Sequence, residues 1–312
     1  MSYVLGIDGG GSKTVCILMN DKREILGRGE AGSSNYQSVG IEAAKYSIES
    51  AINSALIQKN NKKNNIRIDA ICLGLAGVGR EKDIKVVENI VKEIPLLCNI
   101  KPQNIIIYHD ALIALVGGIG NDVGIVVSAG TGSIVFGRNH RGETKRVGGW
   151  GYILGDEGGA YKIAVAGMQT ALKAHDGREV FTSLMEDFKS HFGLNNIEEL
   201  IEIIYRSGLS VKEIAALAPI VDNAAMSGDE VANLIIDDAV DELVKATVTV
   251  INEIFVEGEF FEIVTTGSIW KGKSKIWERF VSCIDSEMKV ISPRYEPVFG
   301  AGLLGLRCLG EG

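Results

Sequence analysis

The sequence predicts an α/β protein of two domains, on three observations. Its 312 residues are about twice the roughly 150 that a single domain takes. Apolar runs with strand character alternate with segments of helical spacing along the chain. A strand, glycine turn, strand pattern near the start recurs with Ser128 where Asp8 stood, an offset of 120 residues. At 46% hydrophobic and 23% charged, the chain has material for a sizeable core. Forty acidic residues against 32 Lys and Arg leave a net charge of -8. That excludes the basic surplus on which nucleic-acid and anionic-membrane binders rely, so neither partner is expected. Small anionic ligands need only local donors and stay open. Glycine at 38 beside 5 prolines, with no repeat period, points to many tight turns.

Taken in order, strands are expected at 3–7, 15–19 and 24–29, joined by polar or glycine-rich turns as an antiparallel meander. A helix follows over 41–57, with Ile41, Ala44, Ile48, Ala51, Ile52 and Ala55 on one face. The run Lys59 to Asn65 reads as a solvated loop. A buried strand at 68–75, a helix at 81–94 stopped by Pro95, a strand at 104–108 and a short helix from His109-Asp110 through Val116 complete the first half. The meander restarts with strands at 123–127, 134–137 and 145–147. A helical stretch follows, with helices at 159–174, 180–191, 197–205 and 211–217, the last stopping before Pro219. The longest helix spans 229–255, with Val231, Leu234, Ile235, Leu243, Val244, Thr247, Val248, Ile251 and Phe255 on one stripe. A strand at 261–265, a helix at 273–283, a strand at 288–291 and a helix at 297–309 end the chain.

No basic region followed by an apolar stretch opens the sequence, and no uncharged run approaches the ~20 residues of a membrane span, so a cytoplasmic protein is expected. Cys16, Cys72, Cys98, Cys283 and Cys308 are widely spaced within mostly apolar runs, which predicts buried free thiols. His109, His140, His175 and His191 never fall at metal-ligand spacing.

Four segments carry candidate chemistry. Asp8-Gly9-Gly10-Gly11-Ser12-Lys13-Thr14 ends a strand on an acid and turns on three glycines. Glycines let backbone N–H groups approach phosphate oxygens, while Ser12, Lys13 and Thr14 add donors. Asp8 suits a hydrated divalent cation. A strand follows where a Walker loop or dinucleotide fingerprint needs a helix; a plain hairpin turn is the alternative. Ser128-Ala129-Gly130-Thr131-Gly132-Ser133 is a second such loop. Asp110 lies after a strand and opens a helix, where it serves as a base on a hydroxyl or as a helix cap. Gly148-Gly149-Trp150-Gly151-Tyr152 and Gly155-Asp156-Glu157-Gly158 pair an aromatic plate with two carboxylates, a combination that binds sugars. Ser33-Ser34-Asn35-Tyr36 and Thr265-Thr266-Gly267-Ser268 are plain polar turns when taken alone.

In this order and spacing, these segments resemble the sugar kinase, heat-shock ATPase and actin superfamily, and within it the N-acetylglucosamine kinase branch grouped with the BadF/BadG/BcrA/BcrD ATPases. The first loop is similar to the first phosphate motif, 128–133 to the second, 148–158 to the amino-sugar signature, Ser34-Asn35 to an early sugar-binding pair and 267–271 to the adenosine motif. The resemblance implies two ribonuclease-H-like (actin-like ATPase) domains with a central cleft and hinge, residues 1–115 plus 298–312 forming one and 116–297 the other. It implies a kinase that phosphorylates the 6-hydroxyl of an N-acetylated amino sugar, N-acetylglucosamine or N-acetylmuramate, with ATP and Mg2+, as a homodimer. Asp110 is then the base and also a substrate contact, together with Ser34, Asn35, Gly149, Trp150, Gly151, Asp156 and Glu157. Gly10, Gly11, Ser12, Lys13, Thr14, Gly130, Thr131, Gly132, Ala225, Gly267 and Ser268 line the nucleotide, and Asp8 serves magnesium. Two other readings come from the same superfamily: an ATPase that energises a redox partner, whose cluster cysteines are missing here, and an actin-like nucleotide-gated protein.

Overall fold

A computed structural model of the chain describes residues 1–57 and 67–310; the polar run at 59–65 lies outside them. The chain divides into two compact units, Met1–Gly124 with Ser292–Gly312, and Ile125–Ile291.

The first unit holds β1 (Tyr3–Gly9), β2 (Thr14–Asn20), β3 (Ile25–Ala31), α1 (Tyr36–Val39), α2 (Ile41–Ile57), β4 (Ala70–Leu75), α3 (Glu81–Lys92), β5 (Ile105–His109) and α4 (Asp110–Ile119). Its sheet runs β3-β2-β1-β4-β5. β1 and β2 pair antiparallel, with Gly9 opposite Thr14, so residues 10–13 form the connecting turn. β4 pairs parallel with both β1 and β5. Alternate residues of β1 face two separate cores. Leu5 and Ile7 pack with Ala44, Ile48, Ala51 and Ile52 of α2. Val4 packs with Ile17, Met19 and two residues of the C-terminal segment, Val298 and Leu306. Burying each such Leu or Ile contributes roughly 1.5–3 kcal/mol.

The second unit carries β6 (Gly124–Ala129), β7 (Ser133–Arg138), β8 (Thr144–Gly148), α5 (Ala160–His175), α6 (Leu184–Phe192), α7 (Leu200–Arg206), α8 (Val211–Ala215), α9 (Ala218–Met226), α10 (Glu230–Ile254), β9 (Glu262–Thr266), α11 (Ile276–Cys283) and β10 (Lys289–Ile291). Its sheet runs β10-β9-β6-β7-β8, the same order as the first with β6 in the place of β1. The final helix, α12 (Pro297–Cys308), belongs to the first unit. There a side chain on Gly6 would sit 2.5 Å from the Gly302 nitrogen, so the strand and helix touch backbone to backbone.

One sequence expectation is extended and three are corrected. The helix expected at 211–217 does stop before Pro219, as α8, but a further helix not expected from the sequence, α9, begins there, with Pro219 in its first turn, where its missing N–H has no partner to lose. On α10 the buried seam runs through Val231, Ala232, Ile235, Ile236, Ala239, Val240, Leu243, Thr247, Val250 and Ile254, and Leu234 and Val248 are exposed. At 3.6 residues per turn, Leu234 lies far around from the pair at 235 and 236. The helix expected from Lys273 begins at Ile276, because Lys275 is left-handed and Asp222 holds the Lys273 and Ser274 N–H groups. Of the cysteines only Cys16 and Cys72 are buried; Cys98, Cys283 and Cys308 are exposed, on helix ends and turns rather than in strands.

Candidate functional site

In the first unit the candidate residues gather at the carboxyl ends of the parallel strands, where α/β sheets bind ligands. Asp8 lies opposite Gly74 of β4, and Leu75 lies opposite His109 of β5, one residue before Asp110. The loop is a tight turn closed by Gly10 N–H donating to the Lys13 carbonyl at 2.9 Å. Gly11, Ser12 and Lys13 are exposed, and a Cβ on Gly11 would meet nothing within 4 Å, so open space adjoins this backbone. Thr14 is fully buried and its hydroxyl donates to the Gly32 carbonyl at 2.7 Å, so it braces the turn. Ser33 Oγ and Ser34 N–H both donate to the Gly10 carbonyl, fixing the early polar segment against the loop. Ser34 Oγ is itself buried with no partner among the described residues, and a buried hydroxyl without a bond is costly unless something else supplies one. Asn35 caps α1 by accepting from Gln37 N–H at 3.2 Å.

Asp110 occupies the first turn of α4, where an acid suits the helix dipole. The cap is the residue before it: His109 Nδ1 accepts from Ala111 N–H at 3.1 Å and lies 2.7 Å from Asp110 Oδ1. Burial, and then the charge of Asp110, push the Asp8 carboxyl up to about 6, with Lys13 pulling the other way. Two neighbouring carboxylates repel unless a cation joins them. Among the described residues no group of three or more His, Cys, Asp and Glu forms a metal cluster. The donor set therefore fits magnesium, which takes one or two carboxylates and completes its shell with water and phosphate.

In the second unit the glycine loop and the Trp150 segment form one structure. Gly149 N–H donates to the Ser133 carbonyl at 3.0 Å, Ala160 N–H to Gly130 at 2.8 Å and Tyr161 N–H to Thr131 at 3.0 Å. Ser133 Oγ donates to the Glu157 carbonyl. Asp156 is left-handed at φ 62°, and a Cβ on Gly132 would come within 2.1 Å of its Oδ2. Asp156 Oδ1 accepts from Gly151 N–H at 3.1 Å, and burial nonetheless holds its carboxyl above the usual range. Gly130 faces open space. Trp150 is 66% exposed, with the Arg146 guanidinium 4.5 Å over its ring, and Glu157 is exposed as well. An indole this exposed on a braced backbone is a contact surface rather than core.

Gly267, at φ 106°, would bring a Cβ within 2.1 Å of the Ala129 carbonyl, so only glycine lets the 267–268 turn close on the second loop. Ser268 opens a pocket of about 320 Å3 lined by Ala216, Pro219, Asn223, Lys271, Gly272 and Lys273 among others, a mostly apolar recess for a flat ring. Of this lining, Ser268 and Lys271 belong to the segment likened to an adenosine motif; Ala216, Pro219, Asn223, Gly272 and Lys273 escaped the sequence reading. Ala225 lies off this lining, buried in α9, with its carbonyl accepting from Asn233. Trp270 is structural, its Nε1 bonded to the Val127 and Thr266 carbonyls.

The model of the BadF/BadG/BcrA/BcrD ATPase family matches residues 5–305. The chain is 34% identical over 307 residues to an N-acetylmuramic acid/N-acetylglucosamine kinase of Clostridium acetobutylicum, covering 97% of this chain and 98% of that one. It is 34% identical over 320 residues to an N-acetyl-D-glucosamine kinase of Dictyostelium discoideum, covering 97% of each. In fold it is similar to a solved Chromobacterium violaceum protein, with a TM-score of 0.77 at 23% identity over 98% and 99% of the two chains. A ROK family glucokinase from Streptomyces griseus shares the fold at a TM-score of 0.55 and 14% identity, covering 97% and 99%.

Proposed function

The chain belongs to the BadF/BadG/BcrA/BcrD ATPase family, and from that premise we propose that it is an ATP-dependent kinase of N-acetylated amino sugars, acting on the 6-hydroxyl of N-acetylglucosamine and of N-acetylmuramate. The observation that supports this most is the junction in the second unit, where Asp156 and Trp150 of the sugar segment are braced directly on the glycine loop at 130–132.

In the first unit, Asp110 takes the proton of the 6-hydroxyl as that oxygen attacks the γ-phosphorus. The bond from the γ-phosphorus to the β,γ-bridging oxygen breaks, and its electron pair leaves with ADP. The proton passes from Asp110 to solvent. Backbone donors of Gly10 and Gly11, with Ser12 and Lys13, hold phosphate oxygens, and Thr14 keeps the turn in shape. Asp8 would hold magnesium, which when bound would neutralise charge on the phosphates. In the second unit, Gly130, Thr131 and Gly132 supply phosphate donors, and the turn at Gly267 and Ser268 with the adjoining pocket holds the nucleoside. Trp150 takes the apolar face of the sugar, and Asp156, Glu157 and the backbone at Gly149 and Gly151 take its polar edge. Ser34 and Asn35 add sugar contacts from the first unit. This reading also expects a cytoplasmic homodimer.

ADP release measured against N-acetylglucosamine, N-acetylmuramate, N-acetylmannosamine, glucose and no sugar tests it. Release that depends on an N-acetylated amino sugar supports the reading; equal release with and without sugar overturns it.

A further inference from the structure

We propose that Arg146 recognises a carboxylate on the sugar, so that the site selects N-acetylated amino sugars carrying an acidic ether on the ring; this rests on the reading of Trp150 and Asp156 as sugar contacts. β8 carries two adjacent cations that point to opposite faces of the sheet. Lys145 shares its face with α10 and reaches Glu253 there at 3.0 Å. Arg146 stands on the other face, with its guanidinium 4.5 Å over the Trp150 ring. The cations on this hairpin differ in their partners. Arg141 meets Glu143 at 2.8 Å and Lys145 meets Glu253, whereas Arg146 has no carboxylate within 4.0 Å among the described residues. Nor does it serve Asp156, whose charged neighbours are Glu157 and Lys162.

A guanidinium stacked on an indole uses its flat face and keeps its in-plane N–H donors. Those donors form a fork that matches a carboxylate with two parallel bonds. Arg146 covers part of one face of an indole that is still 66% exposed, so stacking room for a sugar ring is left. One contact therefore couples the two things an acidic amino sugar presents, an apolar ring face and a carboxylate. A plain amino sugar uses the plate alone.

The test compares kcat/KM of the full chain for N-acetylmuramate, for its lactyl methyl ester and for N-acetylglucosamine. A charge-assisted bidentate contact predicts that the wild type prefers the acid over the ester by about 10- to 100-fold. Arg146→Met, which keeps the packing on Trp150 without the charge, erases that preference, and Arg146→Lys restores part of it. A merely structural Arg146 would lower all three sugars together and leave the acid-to-ester ratio unchanged in Arg146→Met, which overturns the proposal. So does equal use of acid and ester by the wild type, or use of N-acetylglucosamine alone. Inactivity of the wild type on every sugar would instead remove the amino-sugar reading beneath it.

Discussion

The two units share one sheet order and one loop position, yet the loops are built differently. In the first, Asp8 stands one residue before the strand end at Gly9, and the turn, tied at its base by Thr14, Ser33 and Ser34, leaves Gly11, Ser12 and Lys13 exposed. In the second, the strand ends on Ser128-Ala129 and the turn is clasped by the segment at 149–161 through backbone bonds and by Asp156 against Gly132. The last strands differ in the same sense. β5 runs straight into Asp110, whereas β10 is followed by Ser292 and Pro293. The same frame thus carries Asp8 and Asp110 at the strand ends of one half, and in the other a glycine loop braced by the segment that holds Trp150 and Asp156. The frame follows from packing; the division of labour follows from which residues stand at the strand ends.

The largest expected effect lies in the acidic half. Asp110→Asn keeps the size of the side chain and removes the base, so turnover should drop about 10²–10⁴-fold while both KM values stay near wild type. Near-normal turnover would move the base elsewhere. Asp156→Asn tests the other half. Asn tolerates the left-handed backbone that Asp156 adopts, so the fold should hold while kcat/KM for the sugar falls about 10- to 100-fold, the scale of a lost bond to a charged group. An unchanged sugar dependence would empty that segment of its role.

A matched pair of glycine changes sharpens the contrast. Gly132→Ala places a methyl against the Asp156 carboxylate and should destabilise by about 1–3 kcal/mol in thermal melts. Gly11→Ala meets open space and should shift stability by less than about 1 kcal/mol, in the stabilising direction. Equal melts would deny that Gly132 is packed against Asp156 while Gly11 faces open space.

A further effect on stability, of the size expected for Gly132→Ala, concerns pH. Burial and Asp110 raise Asp8 from 3.8 to about 6, so between those values the folded state holds a proton that the unfolded state has lost. Stability is therefore highest on the acid side and falls as pH rises from about 4 through about 6. Asp8→Asn should remove that fall and stabilise the magnesium-free protein at pH 8 by about 1–3 kcal/mol, at the expense of catalysis. A pH profile identical to wild type would contradict the Asp8–Asp110 coupling.

Much of this frame was legible in the residues. The helix over 41–57 declared itself by spacing and stands as Ile41–Ile57. The repeat at an offset of 120 marked both loops, because period-2 apolar runs and glycine turns are local signals. What escaped depended on distant partners. α9 was hidden because Pro219 reads equally as a stop or as a first-turn residue. His109 rather than Asp110 proved to be the cap, a choice set by side-chain geometry at the end of β5. The pocket beside Ser268 draws on four separated stretches, and bonds such as those from the Lys273 and Ser274 N–H groups to Asp222 join two of them. The exposure of Leu234, outside the buried seam of α10, follows from which neighbours α10 meets.

The central claim is transfer of the γ-phosphoryl group to the 6-oxygen of an N-acetylated amino sugar. Proton–phosphorus correlation NMR on the product of a reaction with ATP, magnesium and N-acetylglucosamine tests it most directly. The account predicts a new phosphorus signal coupled to the two protons on carbon 6. A signal coupled to the anomeric proton, or inorganic phosphate as the sole product, would contradict it.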